Sequence, residues 1–161
     1  MKVAVIMGSV SDLTKVEQSV LILKEFGVEV DVRCLSAHRA HTELAEFVKE
    51  TENNGTEVII AAAGMAAALP GVVASQTILP VIGVPLSGQT LDGMDALLSI
   101  VQMPTGIPVA TVAINGTKNA AYLALQILSI KYEEIKEKVQ AFRNKMHEDA
   151  VKANEEIKSR Y

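Results

Sequence analysis

Short apolar runs alternate along this chain with longer segments of helical period, and that alternation leaves few folds open. The runs are KVAVIM (2–7), EVDVRC (29–34), EVIIAA (57–62), PVIGV (80–84) and PVATVAI (108–114), and they read as β-strands. Helical patterns fall between them, near 12–26, 41–53, 66–76, 92–101 and 117–130. A parallel strand covered on both faces has no polar face to show, so most of these runs are apolar nearly throughout. The pattern predicts βαβ units and one parallel sheet of about five strands with helices on both sides, an α/β fold. Ser11 or Asp12 is placed to cap the first helix, and Gly27 and Gly55 to end the first two.

From Tyr132 onward the character changes. Ile135, Val139, Phe142, Met146, Ala150, Ala153 and Ile157 recur at three- and four-residue steps, forming one apolar stripe on a charged helix. Such a helix outruns a small sheet, so its far end is expected to pack on neighbouring subunits. Hydrophobic residues make up 49% of the 161, yet only 4% are aromatic. The surplus of Ala, Val and Ile makes homo-oligomerisation the simplest outlet for apolar area. The expected organisation is a single domain over 1–161, with 132–161 as its C-terminal helix.

Charge and cysteine usage exclude several functions. A formal net charge of -4 without a basic run argues against binding nucleic acid or an anionic membrane. No apolar run approaches the roughly 20 residues of a membrane span, and the opening MKVAVIMGSVSD reads as a strand, not a signal peptide. The expected location is the cytoplasm. Cys34 is the only cysteine, so neither an internal disulfide nor a thiol-rich zinc site can form. From the usual burial of cysteine it is expected to be an inert small hydrophobe.

In an open parallel sheet, ligands bind beyond the carboxyl ends of the strands. The loops to examine are therefore MGSVSD, LSAHR, AAAGMAAALPG and PLSGQTLDG. In the first, Gly8, Ser9 and Ser11 offer amides and hydroxyls that suit a phosphate at a helix N-terminus, although the same residues serve ordinary capping. Asp12 would repel a phosphate but could accept hydrogen bonds from ribose hydroxyls. In the second, Arg39 could hold a phosphate bidentately, Ser36 could add a hydroxyl, and His38 could move a proton near neutral pH. His41 and His147 lack such neighbours. In the third, the small residues around Ala62, Gly64 and Ala66 bring backbone close to a ligand or serve tight packing. No dinucleotide fingerprint, P-loop, nucleophile elbow or metal-ligand cluster is present.

VIMGSVSD, LSAHR, ALPGVVAS and LDGMDALLSIVQMPTGIPVATVAI together resemble the N5-carboxyaminoimidazole ribonucleotide mutases of purine biosynthesis, which belong with the class I phosphoribosylaminoimidazole carboxylase catalytic subunits. The resemblance runs from Val3 to about Leu128. It implies a three-layer flavodoxin-like domain, a homo-octamer with active sites near subunit contacts, and no metal, nucleotide or organic cofactor. It implies transfer of a carboxylate from the exocyclic nitrogen of the substrate to C4 of its imidazole, through loss and recapture of CO2. It places Ser9, Ser36 and Arg39 on the 5'-phosphate, Asp12 on the ribose and His38 as general acid/base. The backbone from Ala62 through Gly64, Met65 and Ala66 to Ala67 would hold CO2 and the carboxylate.

The third loop departs from the family, which usually reads Gly-x-Gly-Gly-Ala-Ala-His-Leu-Pro-Gly: Ala62 and Met65 replace glycines and Ala68 replaces the histidine. A related class that carboxylates aminoimidazole ribonucleotide directly with CO2 also has Ala at that last place. It typically carries Lys where this chain has Arg39, however, and lacks the Pro70 pattern. The mutase is the favoured reading and the direct carboxylase its alternative. The alternative of another class is a non-catalytic, phosphate-ligand-binding flavodoxin-like domain. Its receiver form needs a phospho-accepting Asp where the third strand here ends in AAAG.

Overall fold

The computed structural model describes residues 1–161. Its strands are β1 (Lys2–Met7), β2 (Glu29–Cys34), β3 (Thr56–Gly64), β4 (Val81–Leu86) and β5 (Ala110–Thr111). Its helices are α1 (Leu13–Glu25), α2 (His41–Thr51), α3 (Leu69–Ala74), α4 (Met94–Val101), α5 (Thr117–Ser129) and α6 (Glu133–Lys158). A 3-10 turn over Val10–Asp12 leads into α1. Every strand pair is parallel and the order is β2-β1-β3-β4-β5, the flavodoxin-like order.

The period-2 geometry of the strands divides the core. Val3, Val5 and Met7 of β1, with Val58, Ile60 and Ala62 of β3, join the layer that packs on α1, α5 and the start of α6. Ala4 and Ile6, with Ile59, Ala61 and Ala63, face α2, α3 and α4. Both faces of β1 and β3 are thus buried, which is why their sequences show no alternation. Each fully buried Ile or Leu in these layers contributes roughly 1.5–3 kcal/mol relative to exposure. Gly27 and Gly55, both at φ 84, end the turns after α1 and α2 in a conformation that other residues adopt only under strain.

Three expectations are revised. β5 was expected over 108–114 but holds only Ala110–Thr111 in the ladder, because Pro108 and the facing Pro85 have no N–H to donate. Helix α3 begins at Leu69, not 66, since Met65 lies in the left-handed region at φ 56 and Pro70 occupies the first turn. Cys34 is exposed, not buried, because β2 is an edge strand with one face open to solvent.

Helix α6 spans 26 residues, or about 39 Å at 1.5 Å per residue. Ile135 and Val139 are buried, and Phe142 stacks on Tyr122 with ring centroids 4.5 Å apart. From Arg143 to Tyr161 every residue is exposed. No helix of the chain is long and apolar enough to cross a membrane.

Candidate active site

After β1 the chain crosses to β2 on one side and returns to β3 on the other, so the loops beyond β1 and β3 part company at the sheet's carboxyl edge. Such a switch point opens a crevice. Here it is a cleft of about 880 Å³ lined by all four loops singled out in the sequence. Ser9, Asp12, Ser36, His38, Arg39, Gly64, Met65 and Ala66 all reach it. Ala62 does not, because its side chain is fully buried on the α1/α5 face of β3; Ala63 lines the cleft instead.

The first loop is organised by Ser9. Its hydroxyl accepts from Ser11 N at 3.3 Å and lies 2.8 Å from the Ser11 hydroxyl, while its carbonyl accepts from Asp12 N at 3.1 Å. Asp12 stands at the N-cap of α1 without a side-chain capping bond, which leaves its carboxylate to a ligand. Burial pushes the Asp12 carboxyl above its ordinary pKa, against the opposing pull of a Ser9 backbone hydrogen bond and the Lys15 charge.

The second loop is a turn in which Arg39 N and Ala40 N both donate to Ser36 O, at 3.3 and 2.9 Å. That turn sets Ser36, His38 and Arg39 on one edge. The Arg39 guanidinium donates from Nε to Ser36 Oγ at 3.4 Å and from Nη2 to Gly8 O at 3.3 Å, bridging the loops after β2 and β1. No carboxylate of the chain pairs with it, so its charge faces the cleft uncompensated. His38 is exposed beside it, whereas His41 opens α2 and His147 lies on α6, both outside the cleft.

Met65 leaves β3 at φ 56 with 72% of its surface exposed, and the backbone then closes tightly, Ala67 N to Met65 O and Ala68 N to Ala66 O, both 2.8 Å. The result is a wall of backbone and methyl groups with one flexible thioether over it.

Sequence reasoning missed the support of the fourth loop. Asn115, in the left-handed region at φ 57, accepts from Ser87 N at 3.0 Å and donates from Nδ2 to Ser87 Oγ at 2.9 Å. Lys15 donates from Nζ to Ser87 O at 2.7 Å and to Ser87 Oγ at 3.2 Å. Lys15 lies in the first turn of α1, three residues after Asp12 at its N-cap, and nothing in that spacing signals its contact with Ser87. Asp95, in the first turn of α4, also lines the cleft, with Oδ1 buried and unpaired. Nowhere do three or more His, Cys, Asp or Glu side chains gather as metal ligands. The arrangement offers one imidazole, one free guanidinium, hydroxyls and a carboxylate around a backbone-lined pocket. It suits binding a phosphorylated polar ligand and moving one proton on it.

The family model described as AIR carboxylase matches residues 2–149. The N5-carboxyaminoimidazole ribonucleotide mutase of Saccharolobus solfataricus is 55% identical over 93% of this chain and 95% of its own length. That of Pyrococcus horikoshii is 54% identical over 96% of this chain and 89% of its own length. The crystal structure of Treponema denticola PurE is similar at a TM-score of 0.89 and 31% identity, covering 96% of this chain and 97% of that one.

Proposed function

The chain belongs to the AIR carboxylase family, and we propose that it is an isomerase of purine biosynthesis that converts N5-carboxyaminoimidazole ribonucleotide to 4-carboxy-5-aminoimidazole ribonucleotide. The observation that carries the reading is the convergence of His38, Arg39, Ser36, Ser9 and Asp12 on one cleft, in a chain 54–55% identical to proteins named for that mutase.

Arg39, Ser36 and Ser9 take the 5'-phosphate, and Asp12 accepts from the ribose hydroxyls. His38 as imidazolium gives its proton to the exocyclic nitrogen while the carbamate C–N bond breaks, leaving CO2 and aminoimidazole ribonucleotide. The C4 carbon then attacks the trapped CO2, and the neutral imidazole takes the proton that C4 gives up. One proton is lent and one returned, so His38 ends each turnover in the state in which it began. Positioning supplies much of the rate, and the wall from Ala63 to Ala68 keeps CO2 from escaping. The same proposal includes a single domain over 1–161, a cytoplasmic setting and a homo-octamer in which the exposed stripe of α6 packs on neighbouring subunits.

The test supplies purified protein with N5-carboxyaminoimidazole ribonucleotide in one arm, and with aminoimidazole ribonucleotide plus bicarbonate in the other. Faster product formation in the first arm is expected. Preference for the second would replace the mutase by the direct carboxylase, and binding without turnover in either arm would leave a non-catalytic phosphate-ligand domain.

A further inference from the structure

Two side-chain atoms of the chain are buried without a partner, Asn54 Nδ2 and Asp95 Oδ1, and only the second belongs to a residue of the cleft. Asn54 lies in the turn before β3, at the opposite end of the sheet. Resting on the ribonucleotide reading above, we infer that Asp95 is a further substrate-binding residue, whose carboxylate accepts a hydrogen bond from the exocyclic nitrogen of the aminoimidazole.

The chain supplies no donor to this carboxylate. Asp95 is half-buried in the first turn of α4, and none of the ion pairs includes it. Ser99 Oγ, one turn further on, donates to the Asp95 backbone carbonyl at 2.7 Å and not to its side chain. An acid in the first turn of a helix gains from the helix dipole. An exposed carboxylate has that gain too, so the dipole does not account for an oxygen held away from water. Buried acceptors are ordinarily satisfied, and an unmade bond costs more than a made one contributes. The missing donor is therefore assigned to the ligand.

The position of Asp95 says which donor. Asp12 and Asp95 are the two carboxylates on the cleft. Asp12 opens α1 just after β1, beside the phosphate anchors Ser9, Ser36 and Arg39 on the loops after β1 and β2. Asp95 follows β4, which β3 separates from β1. With strands about 4.8 Å apart, the loop beyond β4 starts about 10 Å from the loop beyond β1. A ribonucleotide held by its phosphate at β1 and β2 thus extends its ring toward β3 and β4. Once Asp12 has taken the ribose hydroxyls, the donors left on the ligand are the N–H groups of the exocyclic nitrogen. Ring N1 is closed by the ribose, and N3 carries no hydrogen. A carboxylate is the strongest side-chain acceptor for such an amine.

Calorimetric titration of the full-length protein compares two ligands: aminoimidazole ribonucleotide, and imidazole ribonucleotide, which has hydrogen in place of the amino group. The unaltered protein should bind the first tighter by about ten-fold or more, as expected for a hydrogen bond to a charged group. Asp95→Ala should bring the two affinities within about three-fold of each other by weakening the amino ligand alone. Asp95→Asn, which keeps the shape and a neutral acceptor, should give a ratio between those of the other two proteins. Arg39→Ala should weaken both ligands alike and leave the ratio as it was. A ratio unchanged in both Asp95 variants, or an equal loss of both ligands, would remove Asp95 from the binding site while leaving the substrate reading in place. Failure of the unaltered protein to bind either ribonucleotide would sink the substrate reading and the role of Asp95 with it.

Discussion

His38 stands exposed on a turn whose hydrogen bonds are made by backbone, so its side chain can be changed without loosening the loop. His38→Asn keeps a similar volume and removes the proton. Turnover should fall by about 10²–10⁴-fold, the usual share of general acid/base catalysis, while the ribonucleotide Kd measured by calorimetry stays within a factor of about two. Near-normal turnover would reassign the proton shuttle. Asp12 carries a different trade. Its folded pKa is raised above the ordinary 3.8 by burial, so the native state holds the proton longer than the unfolded one. Stability is therefore lost as pH rises from 3.8 through the folded value, and the loss persists at neutral pH. Asp12→Asn should melt higher than the parent at pH 7, match it more closely near pH 3, and bind ribonucleotide more weakly. Met65 sits at φ 56 where a glycine would be unstrained. Met65→Gly should leave stability within about 1 kcal/mol, the relieved strain offsetting glycine's entropy; a drop of several kcal/mol in urea denaturation would contradict this. At this scale the sequence was legible in the placing of single side chains at strand ends, since His38 and Arg39 do line the cleft. It was illegible where a role depends on a contact across the fold, as for Lys15 and Asn115, which meet Ser87 from 72 and 28 residues away.

Among the elements, β1, β3 and β4 were readable because each is sealed on both faces, and a run without polar residues has few other uses. β5 was overread because two prolines remove donors from an otherwise strand-like run. Ala62 is the one named site residue that does not line the cleft, and a shift of one along a strand exchanges faces. That leaves Ala62 in the core and Ala63 on the cleft side. The same face logic makes a prediction at β4. A Cβ on Gly83 would lie 2.5 Å from Ile100 Cγ2 and 2.7 Å from Val109 Cγ1, against a helix that Ile100 anchors with no exposure at all. Gly83→Ala should cost about 1–3 kcal/mol by overpacking, seen as a lower urea midpoint with an unchanged slope. It should also raise the KM of the substrate, since α4 carries Asp95 at the cleft. An unchanged midpoint would mean that α4 moves away freely.

For the whole molecule, α6 poses the problem. Its first three turns are fixed by Ile135, Val139 and the Phe26, Tyr122 and Phe142 rings. The remainder, from Arg143, is exposed on every side, with Met146 at 56% and Ile157 at 55%. A helix of about 15 residues is marginal in water without tertiary packing, and this one keeps an apolar stripe in register with its buried turns. On the proposed assembly, a stripe that continues past the chain's own core is covered by another copy. Light scattering should then give a mass near eight times the 17.2 kDa chain. Met146→Glu with Ile157→Glu, which leaves every buried residue in place, should lower that mass and the helical circular dichroism together. A monomeric parent would sink the assembly. A double variant that keeps both its mass and its helicity would move the interface to another face of the molecule, and the projecting half of α6 would then owe its order to its own i,i+3 ion pair, Lys158–Glu155. Exposed pairs of that kind contribute only about 0.3–0.5 kcal/mol each, too little to hold so long a helix, which is why the stripe is the stronger explanation.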